Sequence, residues 1–221
     1  MKRRMFGVLI SGALLCATSL CAAEVDASGP SLLISTAATA MLQDLDAHRA
    51  EYTRDPAQLE AVVTRVLLPY FDTDYAAQLV LGQHWRTAND AQRKRFVAAF
   101  YHSMLRTYSS ALASFTGDRL KVLPFTGDAA ARSATVRTQV RKSDGAMIGV
   151  NYSLHRTEQG WRVWDVVIEG ISYVKSFRDD YGAEVQRRGL DALISRLEAQ
   201  GGATTLKSAA LSSASAAVGK H

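Results

Sequence analysis

The spacing of apolar positions changes twice along the chain, from helical to stranded and back to helical. Ile34, Ala38, Met41, Leu42 and Leu45 recur at helical spacing from Ser31 onward. Leu59, Val62, Val63, Val66 and Leu67 form a second stripe, and its start is written in Asp55-Pro56-Ala57-Gln58. There Asp suits the N-cap, Pro the first helical position and Gln the third. Pro69 ends that helix. Asp72 reads as the next N-cap, with Leu79 and Val80 turned inward and Gly82 as the stop. Thr87 with Asp90 resembles a capping box for a long helix. Its wide stripe runs Phe96, Val97, Phe100, Tyr101, Met104, Leu105, Tyr108, Leu112, Phe115, and Gly117 closes it.

From 118 to 169 the period falls to two. Leu120 to Pro124 is a short strand. Ala134, Val136, Thr138 and Val140 then share one face against Arg137, Gln139 and Arg141. Ser143-Asp144-Gly145 signals a hairpin turn, and Ile148, Val150, Tyr152 and Leu154 make the matching face of the next strand. Trp161 to Ile168 is apolar on both sides in its middle, which predicts a covered, central strand. After Gly170 helical spacing returns at Val174, Phe177, Tyr181 and Val185, then at Leu190, Leu193, Ile194 and Leu197. Helices at 31–117, an antiparallel meander of about four strands at 118–169 and helices at 170–198 define an α+β chain with six or seven helices.

The two ends read differently. Lys2, Arg3 and Arg4 precede an apolar run from Met5 to Leu20, and Cys21-Ala22-Ala23 offers small residues for cleavage. Residues 1–23 are therefore expected to be a signal peptide, cleaved after Ala23. Residues 24–200 are expected to form one domain, and 201–221 an Ala/Ser-rich disordered tail. Without the leader, Lys+Arg falls from 26 to 23 against 21 Asp+Glu, so the mature chain is near +2 and carries no nucleic-acid footprint. Both cysteines, Cys16 and Cys21, leave with the leader, and with them any disulfide, thiolate nucleophile or Cys metal site.

Catalytic chemistry is sparse. The histidines are His48, His84, His102, His155 and His221; none pair at the i, i+4 spacing of a helical zinc motif. Asp72-Thr73-Asp74 suits a metal-diphosphate motif or, more simply, a helix start with favourable charges. Asp165 and Glu169 suit an acid/base pair or local backbone hydrogen bonds. Gly170-Ile171-Ser172-Tyr173-Val174 approaches a nucleophile elbow but lacks its last glycine. It leaves a periplasmic serine hydrolase using Ser172 as an alternative, beside Ser172 as an ordinary N-cap. The large apolar stripes fit either a solid core or one that stays open around an apolar ligand.

An ordered set of stretches resembles the MlaC-type family of periplasmic phospholipid-binding proteins, also named for toluene tolerance. The set begins with Leu68-Pro69-Tyr70-Phe71-Asp72 and Leu81-Gly82-Gln83-His84-Trp85-Arg86, followed by Gln92-Arg93, Phe96, Phe100 and Leu105-Arg106-Thr107-Tyr108. It continues with Trp161-Arg162-Val163-Trp164-Asp165-Val166, Glu169-Gly170-Ile171-Ser172 and Phe177-Arg178, and spans about residues 30 to 198. The resemblance implies an NTF2-like curved antiparallel sheet wrapped by helices around an apolar cavity. It implies a non-enzymatic periplasmic carrier, monomeric, without a cofactor and with phospholipid as cargo. The partners it implies are an inner-membrane Mce-type ABC transporter complex and an outer-membrane lipoprotein–porin complex. Its role would be to maintain outer-membrane lipid asymmetry. A hopanoid-associated branch of the same family is the alternative.

A carrier of this kind faces a large hydrophobic demand. A sixteen-carbon tail moved from water represents on the order of 12 kcal/mol. The two largest apolar surfaces are therefore the expected walls. They are Tyr101, Met104, Leu105, Tyr108 and Leu112 on the long helix, facing Val136, Val150, Tyr152, Leu154, Trp164 and Val166 on the sheet. Val174 and Phe177 close one side, and Arg86, Arg137 and Arg178 are placed near a phosphate head group.

Overall fold

A computed structural model describes residues 25–113, 120–128, 130–141 and 145–199, with the backbone alone for 109–113. The expected leader and tail, the stop at Gly117, and turn residues Ser143 and Asp144 lie outside the described residues. The first helical block comprises α1 (Pro30–Arg54), α2 (Pro56–Val66), a 3-10 turn at Leu68–Tyr70, α3 (Thr73–Leu81), α4 (Gln83–Thr87) and α5 (Asp90–Ala113).

Local chemistry sets these boundaries. The Asp55 carboxylate accepts the Ala57 N–H at 3.2 Å, and Pro56 occupies the first turn of α2. Pro69 falls in the 3-10 turn that follows α2. Asp72 caps α3 by accepting the Tyr75 N–H at 3.0 Å. Gly82 ends α3 at φ 54, ψ −118, and a Cβ there would sit 3.0 Å from Arg178 Nε. Both the backbone angle and the crowding explain a glycine at that turn.

The start of α5 corrects the Thr87/Asp90 reading. Thr87 is the last residue of α4, a short helix the apolar pattern does not announce, and its hydroxyl donates to the His84 carbonyl at 3.1 Å. The capping box is formed instead by Asn89 and Gln92. The Gln92 N–H donates to Asn89 Oδ1 at 2.9 Å, and the Asn89 N–H donates to Gln92 Oε1 at 3.1 Å.

The sheet holds five antiparallel strands in sequence order: β1 (Leu120–Val122), β2 (Ser133–Arg141), β3 (Met147–Thr157), β4 (Gly160–Ile168) and β5 (Ile171–Ser172). It is curved and open, with one more short strand than the sequence announces. Val136 lies opposite Tyr152, Thr138 opposite Val150, and Tyr152 opposite Val166, so these residues share the inner face. A β-bulge interrupts β4: Ser153 pairs with Asp165 and Leu154 with Val163, leaving Trp164 as the extra residue. Val163 and Val166 stay with the inner face, whereas Trp164 and Asp165 turn towards α3 and α6.

That arrangement also corrects the reading of β4 as central. Beyond it lies only the two-residue β5, together with a single bridge from Phe71 to Val163. Its outer face is apolar because helices cover it, not because strands flank it at full length. The chain closes with α6 (Tyr173–Arg188) and α7 (Leu190–Ala199). Arg196 of α7 grips Glu184 of α6 through two nitrogens, at 2.8 and 2.6 Å. Among the described residues α5 packs on α1, α2, α3 and α7, while α1 packs on β1 and β2; no comparable packing joins α5 to a strand.

Candidate functional site

Buried apolar side chains form three clusters rather than one. The first joins α3, α5, α6 and α7 around Phe96, Phe100, Phe177 and Tyr181. Phe96 stacks on Phe100 at 5.6 Å, and Phe177 meets Phe100 edge-on at 5.2 Å. The second ties α1, α2 and α5 together through Met41, Leu45, Leu59, Val63 and Leu105. The third lies between α1 and the sheet, with Leu33, Ile34, Val136, Leu154, Trp161 and Val163. A domain of this size ordinarily shows one contiguous core.

The expected walls fall on and between these clusters. Phe177, Leu105, Val136 and Leu154 are buried within them, and Val150 is buried on the inner face of β3. Tyr101 borders the second cluster, its hydroxyl 3.3 Å from Thr64 Oγ1. Met104, Tyr108 and Val174 flank the first cluster, and Tyr152 and Val166 flank the third; all five are only half-buried. The Leu112 side chain lies outside the described residues.

Trp164 is a correction. The bulge sends it to the opposite face from Val166, where it meets Tyr75 edge-on at 5.9 Å. The three arginines are all exposed. Arg137 is exposed on the face opposite Val136 and Thr138, Arg178 lies over Gly82, and Arg86 is exposed on α4.

Two phenols are among these half-buried residues. Burial pushes the Tyr152 phenol up, and burial with the neighbouring Tyr173 phenol pushes Tyr108 up strongly. Yet both side chains keep accessible surface. Tyr173 joins them: its ring meets Tyr108 at 5.5 Å and 70°, and Phe177 at 6.1 Å. The sequence reading of Gly170–Val174 turns on its serine and leaves Tyr173 out. The i, i+4 spacing of Tyr173 to Phe177 is the signal that marks it.

The other candidates resolve into local structure. Ser172 donates to Asp165 Oδ2 at 2.6 Å and accepts the Lys175 N–H at 3.0 Å, which makes it the N-cap of α6. Asp165 also accepts the Val174 N–H at 3.0 Å, while Glu169 accepts from the Gly149 N–H; the two carboxylates serve separate backbone sites. Asp72 caps α3 and holds His155 Nε2 at 2.8 Å. Among the described residues no group of three or more His, Cys, Asp or Glu is placed to hold a metal ion. Two open surface grooves, of about 590 and 490 Å³, lie along α5 beside Glu198 and around Asp72–Asp74; neither is lined by the interior phenols.

A curved, open antiparallel sheet of five strands, wrapped by helices that bury three separate apolar clusters, defines an α+β domain. The MlaC protein family matches residues 35–199, and the chain belongs to that family. It is 29% identical over 188 residues to the toluene tolerance protein ttg2D of Pseudomonas putida, covering 85% of this chain and 87% of that protein. It is 24% identical over 174 residues to the intermembrane phospholipid transport system binding protein MlaC of Haemophilus influenzae, covering 77% and 81% of the two chains. The fold is similar to that of a phospholipid-binding protein from Ralstonia solanacearum, solved in complex with a phospholipid. The TM-score is 0.73 at 20% identity, with 80% of this chain and 97% of that chain covered.

Proposed function

We propose that this protein is a periplasmic lipid carrier. It buries the acyl chains of a phospholipid between α5, the start of α6 and the inner face of β2–β4. It shuttles them between an outer-membrane lipoprotein–porin complex and an inner-membrane Mce-type ABC transporter complex, and so maintains outer-membrane lipid asymmetry. The reading is supported by half-buried residues that border two separate apolar clusters, Met104, Tyr108 and Val174 at one and Tyr152 and Val166 at the other. Membership in the MlaC family points the same way. A carrier must hold each tail almost free of water, because every exposed CH₂ costs about 0.8 kcal/mol. An apolar wall suits the tails, and the head group stays hydrated at the opening.

The direct test is mass spectrometry of the denatured, purified full-length protein. Near one phospholipid per chain is the expected result. An empty extract after expression in a Gram-negative periplasm would overturn the reading, and so would unchanged lipid content after Val150→Glu in a protein that still folds.

A further inference from the structure

The pairing register gathers cations on the outer face of β1 and β2, opposite the side that carries Val136, Thr138 and Val140. Lys121 of β1 pairs with Gln139 of β2, which makes Arg137 and Arg141 its two diagonal neighbours. Such neighbours stand about 7–8 Å apart. All three cations are exposed. Arg137 lies opposite Asn151 of β3, and the Thr135–Ser153 pair comes next along the same face. Met147, 49% exposed, lies opposite Arg141. Among the described residues no ion pair or hydrogen bond engages the Lys121 or Arg137 side chain. The carboxylate that reaches this face from the β4–β5 turn, Glu169, accepts the Gly149 N–H. Helices α3 and α6 pack on β4, and α1 packs on the inner side of β1 and β2, so no comparable helix packing covers this face among the described residues.

Like charges set side by side on one sheet face repel. An exposed lysine on an edge strand guards against edge-to-edge pairing. That explains Lys121 alone, because Arg137 stands on the second strand of the sheet. We propose that this face is a docking surface for an acidic segment of a partner protein, whose carboxylates meet Lys121, Arg137 and Arg141. The arginine fork matches a carboxylate with two parallel hydrogen bonds, and the short side chains of Thr135, Asn151 and Ser153 leave it room. Met147 adds an apolar contact, and methionine and arginine are both enriched in protein interfaces. The choice of a protein over an anionic bilayer rests on the carrier reading above. This face is turned away from the inner-face residues assigned to the acyl chains. A protein held here leaves them free to exchange lipid, whereas a bilayer here lies on the wrong side of the sheet.

The experiment titrates the full-length protein at low ionic strength with three probes. They are a synthetic peptide of alternating glutamate and serine, its glutamine counterpart, and vesicles of phosphatidylcholine and phosphatidylglycerol in equal parts. Peptide binding is read from backbone amide NMR shifts and vesicle binding by co-sedimentation. The glutamate peptide is expected to shift the amides of Lys121, Arg137, Gln139 and Asn151, and the glutamine peptide to leave them in place. K121Q/R137Q is expected to bind the glutamate peptide about tenfold more weakly. R187Q/R188Q removes the same charge from the exposed end of α6 and should keep the affinity. Urea unfolding of K121Q/R137Q is expected at the wild-type midpoint or above it, because repulsion is relieved; K121Q alone serves if the double variant does not fold. The inference is overturned if the glutamate peptide shifts none of these amides, if the glutamine peptide shifts them equally, or if K121Q/R137Q binds as R187Q/R188Q does. Vesicle binding that depends on Lys121 and Arg137 makes the face a bilayer contact and also overturns it. Lipid on the wild type is counted separately by mass spectrometry: an empty chain removes the carrier reading, whereas a failed peptide titration leaves that reading intact.

Discussion

Ser172 donates its hydroxyl proton to Asp165 at 2.6 Å, and that bond fastens β4 to the start of α6. Asp165 is only 5% exposed and accepts a second bond from the Val174 N–H. The bulge at Trp164 is what aims this carboxylate at the helix, so one irregularity in the sheet sets the position of Tyr173, Val174 and Phe177. Asp165→Ala leaves the Ser172 hydroxyl and an N-terminal N–H of α6 unpaired, and is expected to cost about 2–4 kcal/mol. Ser172→Ala removes a cap and should cost about 1 kcal/mol. Urea unfolding of both variants and of the double variant checks this, with a coupling of at least about 1 kcal/mol expected between them. Ser172→Ala should also keep its lipid, a result a serine hydrolase reading does not foresee.

Overpacking tests the proposed hollow against the packed core. Leu154 is fully buried in the cluster between α1 and the sheet, so Leu154→Phe must displace neighbours and should cost about 1–3 kcal/mol. Val166 shares the inner face but remains half-buried. Val166→Phe is expected to change stability by less than about 0.5 kcal/mol while lowering the lipid recovered per chain. Thermal unfolding paired with lipid mass spectrometry reads both effects. If Val166→Phe destabilises as much as Leu154→Phe, the space beside Val166 is filled by side chains.

Much of this architecture is legible in the sequence because the deciding signals are local. The Asp55-Pro56 and Asp72 caps, the stop at Gly82 and the alternation of Ala134 to Val140 each follow from a few neighbouring residues. What escapes depends on contacts distant in sequence or on broken alternation. The bulge shifts the faces of β4 by one residue, so period-two counting puts Trp164 beside Val166. The covered outer face of β4 mimics a central strand. Arg86, Arg137 and Arg178 group by charge, but charge alone says nothing about which side of the sheet a residue occupies. The degree of burial is also absent from the pattern, since Phe177 and Tyr108 lie on equally regular stripes and only Phe177 is buried.

Alkaline pH should expose the buried phenols. Burial pushes Tyr52 up to about 12, helped by Asp44, and also raises Tyr101, Tyr108, Tyr152 and Tyr181 above the ordinary phenol range. The folded state therefore holds these protons more tightly than the unfolded chain does. Their contribution to stability is complete below about pH 10, where unfolded tyrosines are still protonated, and falls as pH rises through the folded values. Stability in urea is expected to decline from about pH 10 upward, and phenolate absorbance should show these groups ionising together with unfolding. Ionisation of all eight tyrosines near pH 10 in a folded chain would contradict it.

Asp72 has two duties that can be separated by substitution. One oxygen caps α3 through the Tyr75 N–H at 3.0 Å, and the other meets His155 Nε2 of β3 at 2.8 Å. The His155 ring packs on Tyr75 at 4.7 Å, and Tyr75 meets Trp164, so the pair seats α3 on the outer face of the sheet. Asparagine caps helices about as well as aspartate, so Asp72→Asn keeps the first duty and weakens the second. Asp72→Ala loses both and is expected to cost about 1–2 kcal/mol, with Asp72→Asn costing less than half of that. The comparison is made by urea unfolding of the wild type and both variants under one set of conditions. Equal costs for the two variants would mean that the cap to Tyr75 contributes nothing beyond the bond to His155.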